Sequence, residues 1–399
     1  MATKTDLKVE GFAFSAMSCG LKKGNALDLG LICTDEVVPT AAVLTQNRIK
    51  AAPVQLTERR VRDGLARAIL VNSGNANACT GALGMQAALQ TTQSLAKHLG
   101  CKHSDVLAAS TGVIGLPLPA SRIEGALPAL IGALSPDSAA VFSEAIMTTD
   151  RWPKIAKRDV NLGKHKVRVL GMAKGAGMIH PNMATTLCFV LSDAKLAPAL
   201  LRQCLRKACD ESFNRVTVDG DTSTNDMISL MASGKAMSDS LKQGSPEYRS
   251  FLRALTEVLQ ELSESIVRDG EGAEHCVRIV VKGLASQKAC RAVAQKVATS
   301  LLVKTALHGA DPNWGRLLMA AGNAGVAFDG NKARILIDQV TLVEKGVGLG
   351  PAEEKRAAAV MKKEQYTICL ELGASNFEAS YLTSDIGHEY VRINADYRS

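Results

Sequence analysis

The chain has 399 residues, enough for one large layered domain with an appendage or for more than one domain. Hydrophobic residues make up 46% and aromatic residues only 4%, which predicts an aliphatic core. Lys and Arg outnumber Asp and Glu by 47 to 39, a mild excess that suits small anionic ligands; no clustered basic run interleaved with aromatics is present, which argues against nucleic acid as a partner.

Short apolar strands alternate with amphipathic helices along the chain. Residues 68–72 read as a strand ending in a Ser-Gly-Asn-Ala-Asn turn, followed by a helix over 84–99. A second strand, 106–110, closes on Thr111 and Gly112. Ser135-Pro136 has the form of an N-cap with proline at the first helical position, opening a helix to about residue 147. Strands over 167–170 and 186–191 flank a glycine- and proline-rich loop. Leu201, Cys204, Leu205 and Ala208 mark one face of a helix. Phe251, Leu255, Val258, Leu262 and Ile266 mark a longer one that stops at Asp269-Gly270. Then come a strand at 276–281, a helix at 288–303, and strands at 334–340, 367–372 and 377–381, the last expected to pair with 389–393 in a hairpin. Few long βαβ units occur, so a layered α+β sandwich is favoured over a doubly wound parallel sheet. A boundary near residue 283 would separate a main domain, 1–283, from a smaller one, 284–399.

The ten cysteines form no CxxC pair and several fall inside apolar runs, so reduced thiols are expected rather than a disulfide framework or zinc site. The seven histidines show no ligand spacing, and no metal is expected. The N-terminus lacks the apolar core of a signal peptide. The longest weakly charged stretch, 127–141, is broken by prolines and an aspartate, so no membrane span is expected. On these features a soluble, cytoplasmic protein is expected.

Chemistry concentrates in short polar segments at strand ends. The loop Lys174-Gly-Ala-Gly-Met-Ile-His-Pro-Asn-Met-Ala-Thr185 runs straight into an apolar strand. A threonine hydroxyl is a weak nucleophile without an adjacent base, and cutting the peptide bond before it supplies one, its own α-amine. Ala184-Thr185 is built as such a junction could be, although Thr-Thr heading a β-branched run also reads as the plain start of a buried strand. Ser110-Thr-Gly-Val-Ile-Gly115 offers a hydroxyl and an open backbone N–H that suit an oxyanion, or an ordinary strand-ending turn. Asp219-Gly-Asp-Thr-Ser-Thr-Asn-Asp226 lacks the glycine spacing and distal glutamate of a calcium loop and reads as a turn network. In Asp269-Gly-Glu-Gly-Ala273, a helix cap explains the glycines but not Glu271. Gly309-Ala-Asp-Pro-Asn-Trp-Gly315 opens a helix whose tryptophan reads as packing.

These segments, with Thr148-Thr-Asp150, His308-Gly-Ala-Asp-Pro-Asn-Trp-Gly-Arg316 and a chain ending Asn394-Ala-Asp-Tyr-Arg-Ser399, occur in an order that resembles the ornithine acetyltransferase family, the glutamate N-acetyltransferases of cyclic arginine biosynthesis. The likeness spans essentially the whole chain. It implies an αββα-type, N-terminal-nucleophile-like sandwich with a smaller C-terminal α/β domain. It implies self-cleavage between Ala184 and Thr185 into an α chain, 1–184, and a β chain, 185–399, assembled as an α2β2 heterotetramer. Thr185 would be the nucleophile and Thr111 with Gly112 the oxyanion hole. Thr148, Lys174, Thr185, Glu271, Asn394 and Ser399 would contact N-acetylornithine and glutamate. No cofactor is implied, though the family allows acetyl-CoA as a second acetyl donor, which would make the enzyme bifunctional. The alternative is a related threonine-nucleophile aminopeptidase or amidohydrolase. Thr186 stands where the family often has methionine, Ala176 where serine is frequent, and Ser399 where threonine is common; none of these touches the nucleophile.

Overall fold

The computed structural model describes residues 6–180 and 186–396, in which the chain builds two β-sheets. The chain up to Ala232 contributes β1 (Ala13–Met17), β2 (Leu29–Leu44), β3 (Leu65–Asn72), β4 (Val106–Ser110), β5 (Lys154–Leu162), β6 (His165–Lys174), β7 (Leu187–Ser192), the two-residue β8 (Val216–Thr217) and β9 (Met227–Ala232). Between them lie α1 (Ala52–Arg60), α2 (Gly81–Leu99), α3 (Ala120–Gly132), α4 (Ala139–Ala145) and α5 (Pro198–Asp210), and α6 (Pro246–Arg268) follows. The first sheet runs β4-β3-β2-β9-β7-β6-β5, with β1 added on β2.

The long β2 belongs to both ends of this sheet. Its first part pairs antiparallel with β3, its register shifts between Cys33 and Val38, and Thr40–Leu44 pairs with β9. Side chains alternate faces along a strand, so burial sorts into layers. Leu29, Leu31, Ala68, Leu70 and Val106 pack outward on α2 and α3. Their sequence neighbours Ile32, Ile69, Val71 and Leu107 point the other way, into a shared core with Leu170, Met172, Phe189 and Met231. On the far side, Cys188, Val190, Ile228 and Leu230 pack against α5 and α6. The order helix, sheet, sheet, helix is therefore an αββα sandwich, the layered α+β class expected. Phe142 sits in the middle layer, edge-on to Phe189 at 5.5 Å between ring centroids and 6.2 Å from Phe14.

The second sheet has the order β13-β12-β11-β14-β10-β15-β8, from β10 (Cys276–Lys282), β11 (Arg334–Ile337), β12 (Val340–Glu344), β13 (Val347–Gly348), β14 (Gln365–Glu371) and β15 (Glu378–Ser384). One face is covered by α7 (Gln287–Ala298), α8 (Leu301–His308), α9 (Trp314–Gly322) and α10 (Pro351–Met361), with Trp314 packed against that core. The strand β10 pairs with β14 and β15, so the second sheet begins ahead of residue 283, and β8 joins it from between β7 and β9 of the first sheet.

Four expectations differ from the structure. The single strand expected over 334–340 is two, β11 and β12, which pair antiparallel across a turn at Asp338, φ +47°. Residues 389–393 are helical, within α11 (His388–Asp396), rather than a hairpin partner of β15, because both edges of β15 are already taken by β10 and β8. The helix expected from Ser135-Pro136 starts later, at Ala139, since the Ser135 backbone bonds Phe14 in both directions, at 2.9 Å each way. The helix expected over 288–303 is two helices, divided where Ser300 caps the second by accepting from Val303 N–H. Among the described residues no helix is long and apolar enough to cross a membrane. All ten thiols are free.

Candidate active site

One pocket lies at the end of the sandwich where β4, β6 and α6 terminate and β7 begins. It is lined by Thr111, Gly112, Thr148, Lys174, Glu271 and Asn394, together with Thr149, Gly177, Thr186, Ser223, Asn225 and Asp226. The sequence placed the first six of these in one site, and the fold brings them together from five separate segments. Ala184, Thr185 and Ser399 lie outside the described residues. Thr186, the next residue after Thr185, is buried in the pocket wall, where its carbonyl accepts from Met227 N–H at 2.9 Å.

Backbone constraints fix the turn after β4. Thr111 N–H donates to Asn72 O at 3.0 Å, and Ser110 Oγ donates to Asn72 Oδ1 at 2.5 Å. Gly112 has φ +128°, and a Cβ there would come within 2.3 Å of Gly74 C, so only glycine lets the chain lie this close to the facing turn. Asn225 pins both turns by donating to Ala76 O at 2.6 Å and Ser110 O at 2.8 Å.

Lys174 ends β6 and is buried. Its Nζ donates to Thr111 Oγ1 at 3.1 Å, so the hydroxyl accepts there and its own hydrogen is left to donate elsewhere. With the Gly112 N–H beside it, this leaves two donors at the same turn. Burial lowers the pKa of the Lys174 ammonium, opposed by Asp150. Glu271 follows α6, whose apolar face Phe251, Leu255, Val258, Leu262 and Ile266 is wholly buried and whose start is capped by Ser245. Its carboxylate accepts from Thr149 Oγ1 at 2.7 Å and from Asn394 Nδ2, on α11, at 2.9 Å. A Cβ on Gly177 would lie 2.3 Å from Glu271 Oε2, so glycine at 177 makes room for the carboxylate.

Behind the pocket lies a group of charges that the sequence reading did not single out. Lys154 Nζ, fully buried on β5, bonds Asp150 Oδ1 at 2.7 Å and Asp269 Oδ2 at 2.6 Å. Asp150 also accepts from Thr148 N–H at 2.9 Å and Gly175 N–H at 2.7 Å, while Asp269 accepts from Arg151. Burial alone would raise the Asp150 carboxyl, but the Lys174 and Lys154 ammonium groups outweigh it and hold it at about 2. One ammonium thus ties together the three loops that carry Thr148, Lys174 and Glu271. Lysine in a strand after Trp-Pro carries no local signal of this role; it emerges only when β5 meets the end of α6.

Asp219 fixes the loop leading to the junction, accepting from Met178 N–H at 2.5 Å and Ile179 N–H at 2.9 Å, and burial pushes its carboxyl up to about 6. The turn network read from the sequence is therefore used on backbone amides. Among the described residues no group of three or more His, Cys, Asp or Glu is placed to hold a metal.

Fold and pocket together define an αββα protein whose strand and helix ends present threonine hydroxyls, an ammonium and a carboxylate to one cavity. A family model for ArgJ matches residues 13–399. The arginine biosynthesis bifunctional protein ArgJ of Geobacter sulfurreducens is 45% identical over 98% of this chain and 100% of its own length. That of Desulfotalea psychrophila is 46% identical over the same shares. The crystal structure of the Bacillus halodurans protein of that name superposes with a TM-score of 0.50 and 37% identity, over 52% of this chain and 98% of that one. The chain belongs to the ArgJ family.

Proposed function

We propose that this protein is an acetyltransferase that moves an acetyl group from N²-acetylornithine to glutamate in arginine biosynthesis, through an ester on Thr185. The observation that carries the reading is the convergence of Thr111, Gly112, Thr148, Lys174, Glu271 and Asn394 on the pocket where β7 starts, in a chain matched by the ArgJ family over nearly its full length. The precursor splits between Ala184 and Thr185, and the new α-amine is the base. The matched Bacillus halodurans chain is about half as long as this one, as a polypeptide divided near its middle would be.

Thr185 Oγ attacks the acetyl carbonyl while its amine takes the hydroxyl proton, and Thr111 Oγ1–H and Gly112 N–H hold the oxyanion. Ornithine leaves with that proton. Glutamate then attacks the ester through its amino nitrogen, returns the proton to Thr185 Oγ by the same amine, and departs as N-acetylglutamate. The Lys174 ammonium holds a substrate carboxylate and Glu271 a substrate ammonium, with Thr148, Asn394 and Ser399 completing the contacts. No metal or organic cofactor takes part; acetyl-CoA serves as a second acetyl donor, as the relatives' name "bifunctional" suggests. The split chains assemble as an α2β2 heterotetramer in the cytoplasm.

Incubating purified protein with N²-acetylornithine, with and without glutamate, tests the transfer. Ornithine released catalytically only when glutamate is present, in step with N-acetylglutamate, is the expected result. Sustained release into water alone would make the protein an aminopeptidase or amidohydrolase of the same build.

A further inference from the structure

The helix α11 brings Asn394 to the Glu271 carboxylate, yet none of its nine residues is buried, so no apolar face of its own holds it down. Its seat comes from contacts at its root, the segment Asp385-Ile-Gly387 between β15 and α11. That root meets His308, the residue that ends α8 and opens the motif His308-Gly-Ala-Asp-Pro-Asn-Trp-Gly-Arg316, which the mechanism above leaves unused.

The Asp385 side chain is fully buried and both its oxygens are engaged. Its Oδ1 accepts from Glu274 N–H at 2.9 Å and from His275 N–H at 2.8 Å, fixing the loop that follows Glu271. Its Oδ2 accepts from His308 Nδ1 at 2.8 Å, which sets the plane of the imidazole. The ring in turn bounds the path into α11: a Cβ on Gly387 would fall 2.6 Å from His308 Nδ1, so the chain passes directly against it. The first turn of α11 then lies on the Glu271 loop. A Cβ on Gly272, at φ +68°, would fall 2.9 Å from Glu389 C, and Tyr390 Oη donates to Asp219 at 3.4 Å. His308 and Asp385 thus reach Glu271 from two sides, through the loop 271–275 and through α11 to Asn394. The oxyanion turn is held separately, by Asn72 and Asn225.

We propose that His308, acting through Asp385, is a positioning residue for recognition of the donor's side-chain ammonium. It holds the root of α11 and the loop after Glu271 in one register, so that Asn394 keeps the carboxylate where the ammonium arrives. His308 is not in the pocket wall and acts only through these neighbours. The inference rests on the reading of Glu271 as the partner of that ammonium.

The test compares kcat/KM for two donors with glutamate as acceptor: N²-acetylornithine, and N²-acetylnorvaline, which lacks only the side-chain ammonium. Wild type should prefer acetylornithine. His308→Ala should narrow that preference by about ten-fold, through a raised KM for acetylornithine with kcat within about two-fold, as the loss of a charge-assisted contact gives. Acetylnorvaline should be used as well as by wild type, to within about two-fold. His308→Asn, whose amide N–H can donate to Asp385 as Nδ1 does, should restore the preference to within about three-fold of wild type. A role in folding alone would lower both donors alike. A folded, split His308→Ala that keeps the wild-type ratio, or loses both donors equally, overturns the inference. If His308→Ala does not fold, Gly387→Ala is measured the same way, because it keeps the imidazole and pushes the root of α11 away from it. The same narrowing is expected there, and an unmoved ratio again overturns the inference. Failure of the underlying reading looks different: wild type itself would then not discriminate between the two donors.

Discussion

Thr185→Ala is expected to abolish both self-cleavage and acetyl transfer, leaving one band of about 42 kDa on a denaturing gel where two are expected from wild type. The two losses share one cause. Scission needs a hydroxyl to attack the Ala184 carbonyl and shift the acyl group from nitrogen to oxygen, and transfer needs the same hydroxyl to take the acetyl group. Alanine removes it at both stages. The strand should survive, because β7 is anchored by its own ladder to β6 and β9 and by the Thr186 carbonyl. Circular dichroism matching wild type would confirm that. If Thr185→Ala still divides at this bond, attack by Oγ is the wrong mechanism.

Lys154→Met carries the largest expected loss of stability. It removes one ammonium from between two carboxylates whose side chains, like its own, are fully buried. Removing one member of a buried ion pair costs about 3–5 kcal/mol, chiefly because the remaining charge is left uncompensated in low dielectric. Arg151 still meets Asp269, and Lys174 still acts on Asp150, so the loss should fall toward the lower end. The effect has a pH signature. Asp150 is held at about 2, below the ~3.9 of a free aspartate, so its contribution is fully present above about pH 4 and is lost as pH falls through about 2. Without Lys154 its pKa rises, and acid unfolding should begin at higher pH. Denaturant unfolding followed between pH 3 and 7 checks both effects; an unchanged midpoint would show that the ammonium contributes nothing net.

Much of the site was legible because its residues break local expectation. Glycine at 112 and 177 answers to close approaches of 2.3 Å, and Glu271 stood out as a carboxylate that a helix cap did not need. The strand after the Gly/Pro loop was plain from the apolar run of β7. What escaped has a shared reason. Lys154 and Thr149 act through partners far away in the chain, such as the 115-residue separation between Lys154 and Asp269, and no local pattern encodes such a pairing. The long β2, which bends the first sheet into two layers, carries its message in a register shift rather than in composition. The misread end of the chain, 389–393, alternates well enough for a strand, but helix or strand is decided there by whether a sheet edge remains open, and β8 closes it.

The central claim is that the acyl group rides on a residue that has become a chain terminus. Intact mass spectrometry of the purified protein, before and after exposure to isotopically labelled N²-acetylornithine without glutamate, tests it most directly. Two polypeptides, 1–184 and 185–399, are expected, with one labelled acetyl group on the second that maps to Thr185 and vanishes when glutamate is added. Active protein that remains a single uncut chain, or label that settles on any other residue, would contradict it.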